Sequence, residues 1–265
     1  MRARHTILEL VVVLGGALAL APVDAVVAQS EAAKLIAHDA AAGQLFGYAI
    51  AMDGDTVVVG ARGDEHAGDF SGAAYVFRRE ANGWIEEGKL TAYDSAAGHN
   101  FGYSVAVSGH RIVVGARGDD HAGSLSGAAY VFERSGGVWR MPTKIVAGDA
   151  SAGHLFGESV AIHGDRIVVG ARGDDHAGRL SGSAYVFRRA GDSWIQEAKL
   201  TAVDASANDW FGVSVSLSSE YAVVGAHLTG GTGAAYVFRR VGTKWFQDVR
   251  LGAYDAGLGD LFGYS

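Results

Sequence analysis

The chain repeats itself. Phe-Gly pairs begin at Phe46, Phe101, Phe156, Phe211 and Phe262, in steps of 55, 55, 55 and 51 residues. Gly60, Gly115, Gly170 and Gly225 recur every 55 residues, and Trp84, Trp139, Trp194 and Trp245 follow in steps of 55, 55 and 51. The short last step comes from a shortened loop, Ala226–Gly233, which lies after Gly225 and before Trp245. A fixed period of this length restricts the chain to a stack or ring of one supersecondary unit, because a single unit cannot bury its apolar face alone.

The unit can be read from the second copy. Phe101–Val107 is a first strand, and Ser108-Gly109 a turn whose slot holds Asp53-Gly54 and His163-Gly164 in neighbouring copies. Glycine there takes positive φ at no steric cost, which suits a tight hairpin. Arg111–Ala116 is a second strand, Arg117–Ser126 a loop, Gly127–Glu133 a third strand, and Val138–Ala147 a fourth. Ile112-Val113-Val114 and Tyr130-Val131-Phe132 are unbroken apolar runs, as expected of strands covered on both faces. Four antiparallel strands and one tryptophan per unit suit a propeller blade better than a stack of hairpins or a sandwich. The 39 glycines and 2 prolines agree with short strands and tight turns.

Composition narrows the partners and the compartment. A net charge of −7 argues against a nucleic-acid binder, which needs a basic face. Cysteine is absent, which excludes disulfides, thiolate metal sites and thiol nucleophiles. Arg2, Arg4 and His5 precede an apolar run from Ile7 to Leu20, followed by small residues including Val26-Val27-Ala28. This is the pattern of a secretory signal over residues 1–28, with Glu9 as its one blemish. Pro22 and Asp24 arrive too early for a membrane span, so the mature chain from residue 29 is expected to be secreted, extracellular or at the cell surface, with the periplasm as an alternative.

Phe101-Gly102-Tyr103-Ser104-Val105 and Val114-Gly115-Ala116, with their copies, resemble the FG-GAP repeats of integrin α-chain propellers and of bacterial secreted proteins. The resemblance covers about residues 31–265 and implies an all-β β-propeller of four-stranded antiparallel blades. Units start near residues 46, 101, 156 and 211, giving about four complete blades, and a fifth begins at 262. Because integrin-type rings have seven blades, the expectation is part of a larger ring; the alternative is a small ring closed by Leu261–Ser265. Where the family has Gly-Ala-Pro, this chain has Gly-Ala-Arg at Arg62, Arg117 and Arg172, and Gly-Ala-His at His227. Calcium-binding members carry an acidic loop between the first two strands. Here the slot holds Met52-Asp53-Gly54-Asp55, Ser108-Gly109-His110, His163-Gly164-Asp165 and Ser218-Ser219-Glu220, too short and too poor in carboxylates. No metal or cofactor is expected.

Alternating strand direction puts the loop between strands two and three, and the link to the next unit, on one face rich in Asp and His. In the propellers this chain resembles, protein ligands dock there. The contacts expected on that face are Asp64, His66, Asp119, Asp120, His121, Asp174, Asp175, His176, Trp210 and His227. Trp210 and the loop His227–Thr232 break the symmetry of the repeat, which marks the fourth unit as a candidate contact corner. The histidines His66, His121 and His176 could form a metal or pH-sensitive site across blades, or simply sit on a solvated loop copied by duplication. Asp39, Asp94, Asp149, Asp204 and Asp255 stand seven residues before each Phe-Gly and are expected to bond backbone amides in turns. The three Arg-Gly-Asp tripeptides at Arg62, Arg117 and Arg172 suit a turn next to a strand rather than a receptor signal. No nucleophile elbow, zinc motif or phosphate loop is present. The reading is a non-catalytic binding or adhesion module for an extracellular protein or carbohydrate. Two alternatives stay open: a polysaccharide lyase or hydrolase with a carboxylate–histidine pocket at the axis, and a structural repeat of a larger surface protein.

Overall fold

A computed structural model describes residues 33–265, so the signal expected over residues 1–28 lies outside the described residues. The body from Leu35 to Ser265 is built from four antiparallel sheets in chain order. The first contains β1 (Phe46–Asp53), β2 (Thr56–Ala61), β3 (Ala73–Glu80) and β4 (Gly83–Leu90). The second contains β5 (Phe101–Ser108), β6 (Arg111–Ala116), β7 (Ala128–Ser135), β8 (Val138–Trp139) and β9 (Thr143–Ile145). The third has β10 (Ser159–His163), β11 (Arg166–Ala171), β12 (Ser183–Ala190) and β13 (Ser193–Leu200). The fourth has β14 (Ser214–Leu217), β15 (Tyr221–Ala226), β16 (Ala234–Val241) and β17 (Lys244–Leu251). Each sheet is a meander, as in a propeller blade.

One expected strand differs. The stretch Val138–Ala147 does not form one strand: β8 and β9 both pair with β7, and Arg140-Met141-Pro142 lies between them. Pro142 has no N–H to give the ladder, so the strand breaks there. Residues 33–37 form no strand. Ala37 instead packs, 3% exposed, on Val57, Val59 and Phe77 of the first blade.

The core lies between blades, not within them. Val58, Val76 and Leu90 of the first blade pack with Phe101, Ile112, Val114 and Phe132 of the second. The same set recurs between the second and third blades and between the third and fourth. Trp139, Trp194 and Trp245 border these clusters, which gives the once-per-unit tryptophan a packing role. The repeated glycines are explained by the same joint. Gly102, in the left-handed region at φ 84°, lies against the Ala73 carbonyl, and a Cβ on Gly60 would collide with the Gly102 carbonyl. The Phe-Gly of one blade thus locks into the Gly-Ala of the blade before it. Phe262 continues the series by bridging to Gly233, as Phe101 bridges to Gly72.

First strands of consecutive blades touch one another along their length, whereas fourth strands barely meet. The blades therefore converge on β1, β5, β10 and β14. Among the described residues no strand of the fourth sheet pairs with the first.

Candidate functional site

The loops between second and third strands are held from inside. The Asp64 carboxylate accepts the backbone N–H of His66 at 3.1 Å, and its Oδ1 lies 2.9 Å from the His66 ring Nδ1. Ser71 Oγ donates to the Asp64 carbonyl at 3.0 Å. Asp119 with His121 and Ser126, and Asp174 with His176 and Ser181, repeat this arrangement. Such local side chain–backbone bonds fix a turn without help from a ligand.

The other carboxylate oxygen faces a lysine. Lys144 Nζ bonds Asp94 Oδ2 at 2.7 Å and Asp119 Oδ2 at 2.8 Å, while Tyr130 OH donates to Asp94 at 2.6 Å and Asp119 at 2.9 Å. Lys89 and Tyr75 bind Asp39 and Asp64 in the same way. In the third blade Lys199 joins Asp149 and Asp174, and Tyr185 donates to Asp174. Asp39, Asp94 and Asp149, expected to bond turn amides, thus bond side chains of the following blade, clamping the link between blades. Asp64, Asp119 and Asp174 are 1%, 0% and 1% exposed. Burial alone would push the Asp174 carboxyl up, but hydrogen bonds from Lys199 and Tyr185 outweigh it and hold it at about 2. Burial likewise pushes the Tyr130 hydroxyl up, and the Asp94 bond adds to it.

The tripeptide Arg-Gly-Asp follows from the same joint. The aspartate is the clamp. A Cβ on Gly118 would collide with the Gly98 carbonyl. The arginine stacks on a ring at the loop end of the first strands, Tyr48, Tyr103 or Trp210.

The fourth unit moves its carboxylate. Where the earlier loops have Asp64, Asp119 and Asp174, it has Thr229, in a short 3₁₀ turn over Thr229–Gly231. Five residues after Asp39, Asp94 and Asp149, the earlier units have Gln44, His99 and His154, whereas five residues after Asp204 the fourth has Asp209, 6% exposed. Arg250 replaces the lysine and pairs with Asp204 at 3.3 Å. The two exchanges preserve the cluster's carboxylate count while changing which loop supplies it. Burial raises the Asp209 carboxyl, the Asp204 charge adds to that, and the Ser206 amide only partly offsets it. Tyr236 OH and Thr229 Oγ1 are buried without a hydrogen-bond partner among the described residues.

A second arrangement runs along the loop end of the first strands. The residue after each Phe-Gly is Tyr48, Tyr103, Glu158, Val213 or Tyr264, and the residue after each Gly-Ala is Arg62, Arg117, Arg172 or His227. Convergence of the first strands brings these positions together. The Arg62 guanidinium lies 4.4 Å from the Tyr48 ring centroid, and the Arg117 guanidinium 3.8 Å from that of Tyr103. Glu158 accepts from Arg117 at 3.0 Å and lies 3.0 Å from Arg172 Nε. Arg172 then covers Trp210 at 4.1 Å, Trp210 meets the edge of His227 at 5.3 Å, and His227 meets Tyr264 at 5.0 Å. Burial pushes the His227 imidazole down, and the Arg172 charge adds to this, so it is neutral near pH 7.

The expected contact residues therefore divide. Asp64, Asp119 and Asp174 are inside, each with its own His66, His121 or His176, and the pairs do not meet across blades. Asp120 and Asp175 are exposed and accept the Leu125 and Leu180 amides at 2.8 and 2.6 Å, which closes their own loops. Trp210 and His227 do come together, in the ladder. Among the described residues no three His, Asp or Glu side chains are grouped to hold a metal ion. Sequence reasoning missed Tyr48, Arg62, Tyr103, Arg117, Glu158 and Arg172 as a group. The signal was available in the arginine that replaces proline three times.

The family model for the FG-GAP repeat matches residues 29–77, 84–132, 139–187 and 194–238. The fold and its internal joints define a propeller-type repeat protein, and the chain belongs to the FG-GAP repeat family. No match was found among curated protein sequences. Among solved structures, the chain is similar to a Bacteroides uniformis protein provisionally described as a 6-phosphogluconolactonase. That likeness has 15% identity and a TM-score of 0.51, and covers 79% of this chain and 57% of the other. The chain thus spans little more than half the length of that protein, and the likeness is one of fold. No helix among the described residues is long and apolar enough to cross a membrane.

Proposed function

We propose that this chain is a secreted, non-catalytic binding module that takes an extracellular carbohydrate or protein at the loop end of its first strands. The observation behind this reading is the ladder of rings and guanidinium groups from Tyr48 to Tyr264. Aromatic faces offer apolar contact area at low entropic cost, and guanidinium forks supply directional donors. The clamped carboxylates Asp64, Asp119 and Asp174 argue against catalysis by those three groups. A general acid or base must exchange a proton with substrate, and Asp174, held at about 2 and closed in by Lys199 and Tyr185, is poorly suited to that. The test is an array of glycans and extracellular proteins probed with wild type, Tyr103→Ala and Arg117→Ala. Binding weakened by both variants supports the ladder; binding indifferent to both rejects it.

One observation favours a second reading, a polysaccharide hydrolase or lyase. In three loops an imidazole sits on an aspartate, as His121 does on Asp119 at 3.2 Å, and such pairs orient histidines in acid–base sites. Turnover of a polysaccharide panel that is lost in His121→Gln, with fold retained, would favour this reading over the first.

A further inference from the structure

Successive blades place Arg62, Arg117 and Arg172 at the same point, and the chain shows what fits between two of them. In the gap between Arg117 and Arg172 stands Glu158, 8% exposed. It receives Arg117 at 3.0 Å and the Tyr103 hydroxyl at 3.3 Å, and Arg172 Nε lies 3.0 Å away. One carboxylate thus serves two guanidinium groups, an arrangement matched to their planar forks.

One blade earlier the carboxylate is missing. The counterpart of Glu158 is Tyr103, whose ring lies under Arg117. Arg62 has no carboxylate within ion-pair distance among the described residues. Its hydrogen bond goes to the neutral Asn100 Oδ1 at 3.2 Å, and its buried Nε has no hydrogen-bond partner among the described residues. The rings of Tyr48, Phe70 and Tyr103 surround the guanidinium at 4.4, 5.8 and 5.9 Å. Tyr48 and Phe70 are 45% and 43% exposed, so the position opens to solvent on its aromatic side. A guanidinium partly withdrawn from water without a counter-ion gains from an incoming anion.

We infer that Arg62 binds the carboxylate of an acidic, uronate-type oligosaccharide, with a sugar ring lying on the exposed faces of Tyr48 and Phe70. The ligand carboxylate takes the place that Glu158 occupies one blade later. The exposed rings favour a sugar over an acidic peptide, because they offer flat apolar faces beside the charge. This rests on the ladder being the contact surface, and it names the ligand class.

The experiment is calorimetric titration with oligogalacturonate and with its methyl ester, at low and high salt. The acid form is expected to bind, to weaken with salt, and to exceed the ester by about tenfold or more. Arg62→Met is expected to lose about tenfold or more in affinity. Tyr103→Glu supplies a carboxylate of the chain's own beside Arg62, and is expected to abolish binding while the variant still unfolds in one cooperative thermal transition, at a lower Tm because the new carboxylate also faces Glu158. That variant separates loss of site from loss of fold. Failure of wild type to bind the acid form, equal binding of the ester, or full affinity in Arg62→Met each overturns the inference. An acidic peptide bound through Arg62 in place of the oligosaccharide overturns the ligand class. Binding of a neutral glycan that depends on Tyr103 and Arg117 but not on Arg62 would refute the inference and leave the broader proposal standing.

Discussion

Removing one lysine tests whether the buried clusters hold the blades together. In Lys144→Met the neighbours keep an apolar stem of similar length but lose the ammonium that bonds Asp94 and Asp119. Asp119 is 0% exposed, so its charge is left buried beside a second carboxylate. Breaking a fully buried pair costs about 3–5 kcal/mol. Here the Asp94 side chain is 34% exposed and partly screened by water, which lowers the expectation to about 2–3 kcal/mol. For a chain of this size that is a fall of about 4–12 °C in Tm. The pH dependence is the sharper test. In wild type, burial raises the Asp119 carboxyl, but the Lys144 and Tyr130 bonds outweigh it and the net shift is downward. Its contribution is therefore present above the unfolded value of about 3.9 and is lost as pH falls through the lower folded value. Without Lys144, burial and the Asp94 charge push the carboxyl upward, so acid relieves the mutant by protonating it. The deficit of the variant should be largest near pH 7 and shrink toward about pH 4.5. Urea unfolding followed by tryptophan fluorescence at both pH values measures it. A deficit of equal size at both, or none at either, refutes the electrostatic account.

Two further outcomes follow from the joints. Gly115→Ala drives a Cβ into the Gly157 carbonyl and Ser104 Oγ and should cost about 3 kcal/mol or more, whereas Gly136→Ala, with nothing near its Cβ position and φ at 62°, should cost about 1 kcal/mol, as thermal unfolding of both would show. In the fourth blade, Asp209→His with Thr229→Asp restores the residues the third carries at these two positions, with Arg250 left in place of the lysine. The double variant should be more stable than the sum of the single losses predicts, by a coupling of about 0.5–3 kcal/mol in a double-mutant cycle, and strict additivity would show that the two positions do not share a cluster.

The 55-residue repeat makes much of this protein legible from residue order. Strand hydrogen bonding and unbroken apolar runs act over a few residues, so Arg111–Ala116 is recovered as read, and the fixed step carries that reading from blade to blade. Within the second blade, Pro142 is what spoils the fourth strand. The site is less legible. Asp119 looks like a surface ligand in sequence because it sits in a polar loop with Asp120 and His121. The fold turns it inward, where Lys144 and Tyr130, 25 and 11 residues away, become its partners.

The blade and its strand order thus follow from sequence alone, since they depend on local geometry repeated at a fixed period. Which side chains face each other is a matter of tertiary structure. The blades converge on their first strands, and that convergence sets Arg117 against Glu158 and leaves Arg62 without a carboxylate. Residues one period apart in sequence become neighbours only through the angle at which blades pack, and that angle is fixed by the collective fit of Phe-Gly into Gly-Ala.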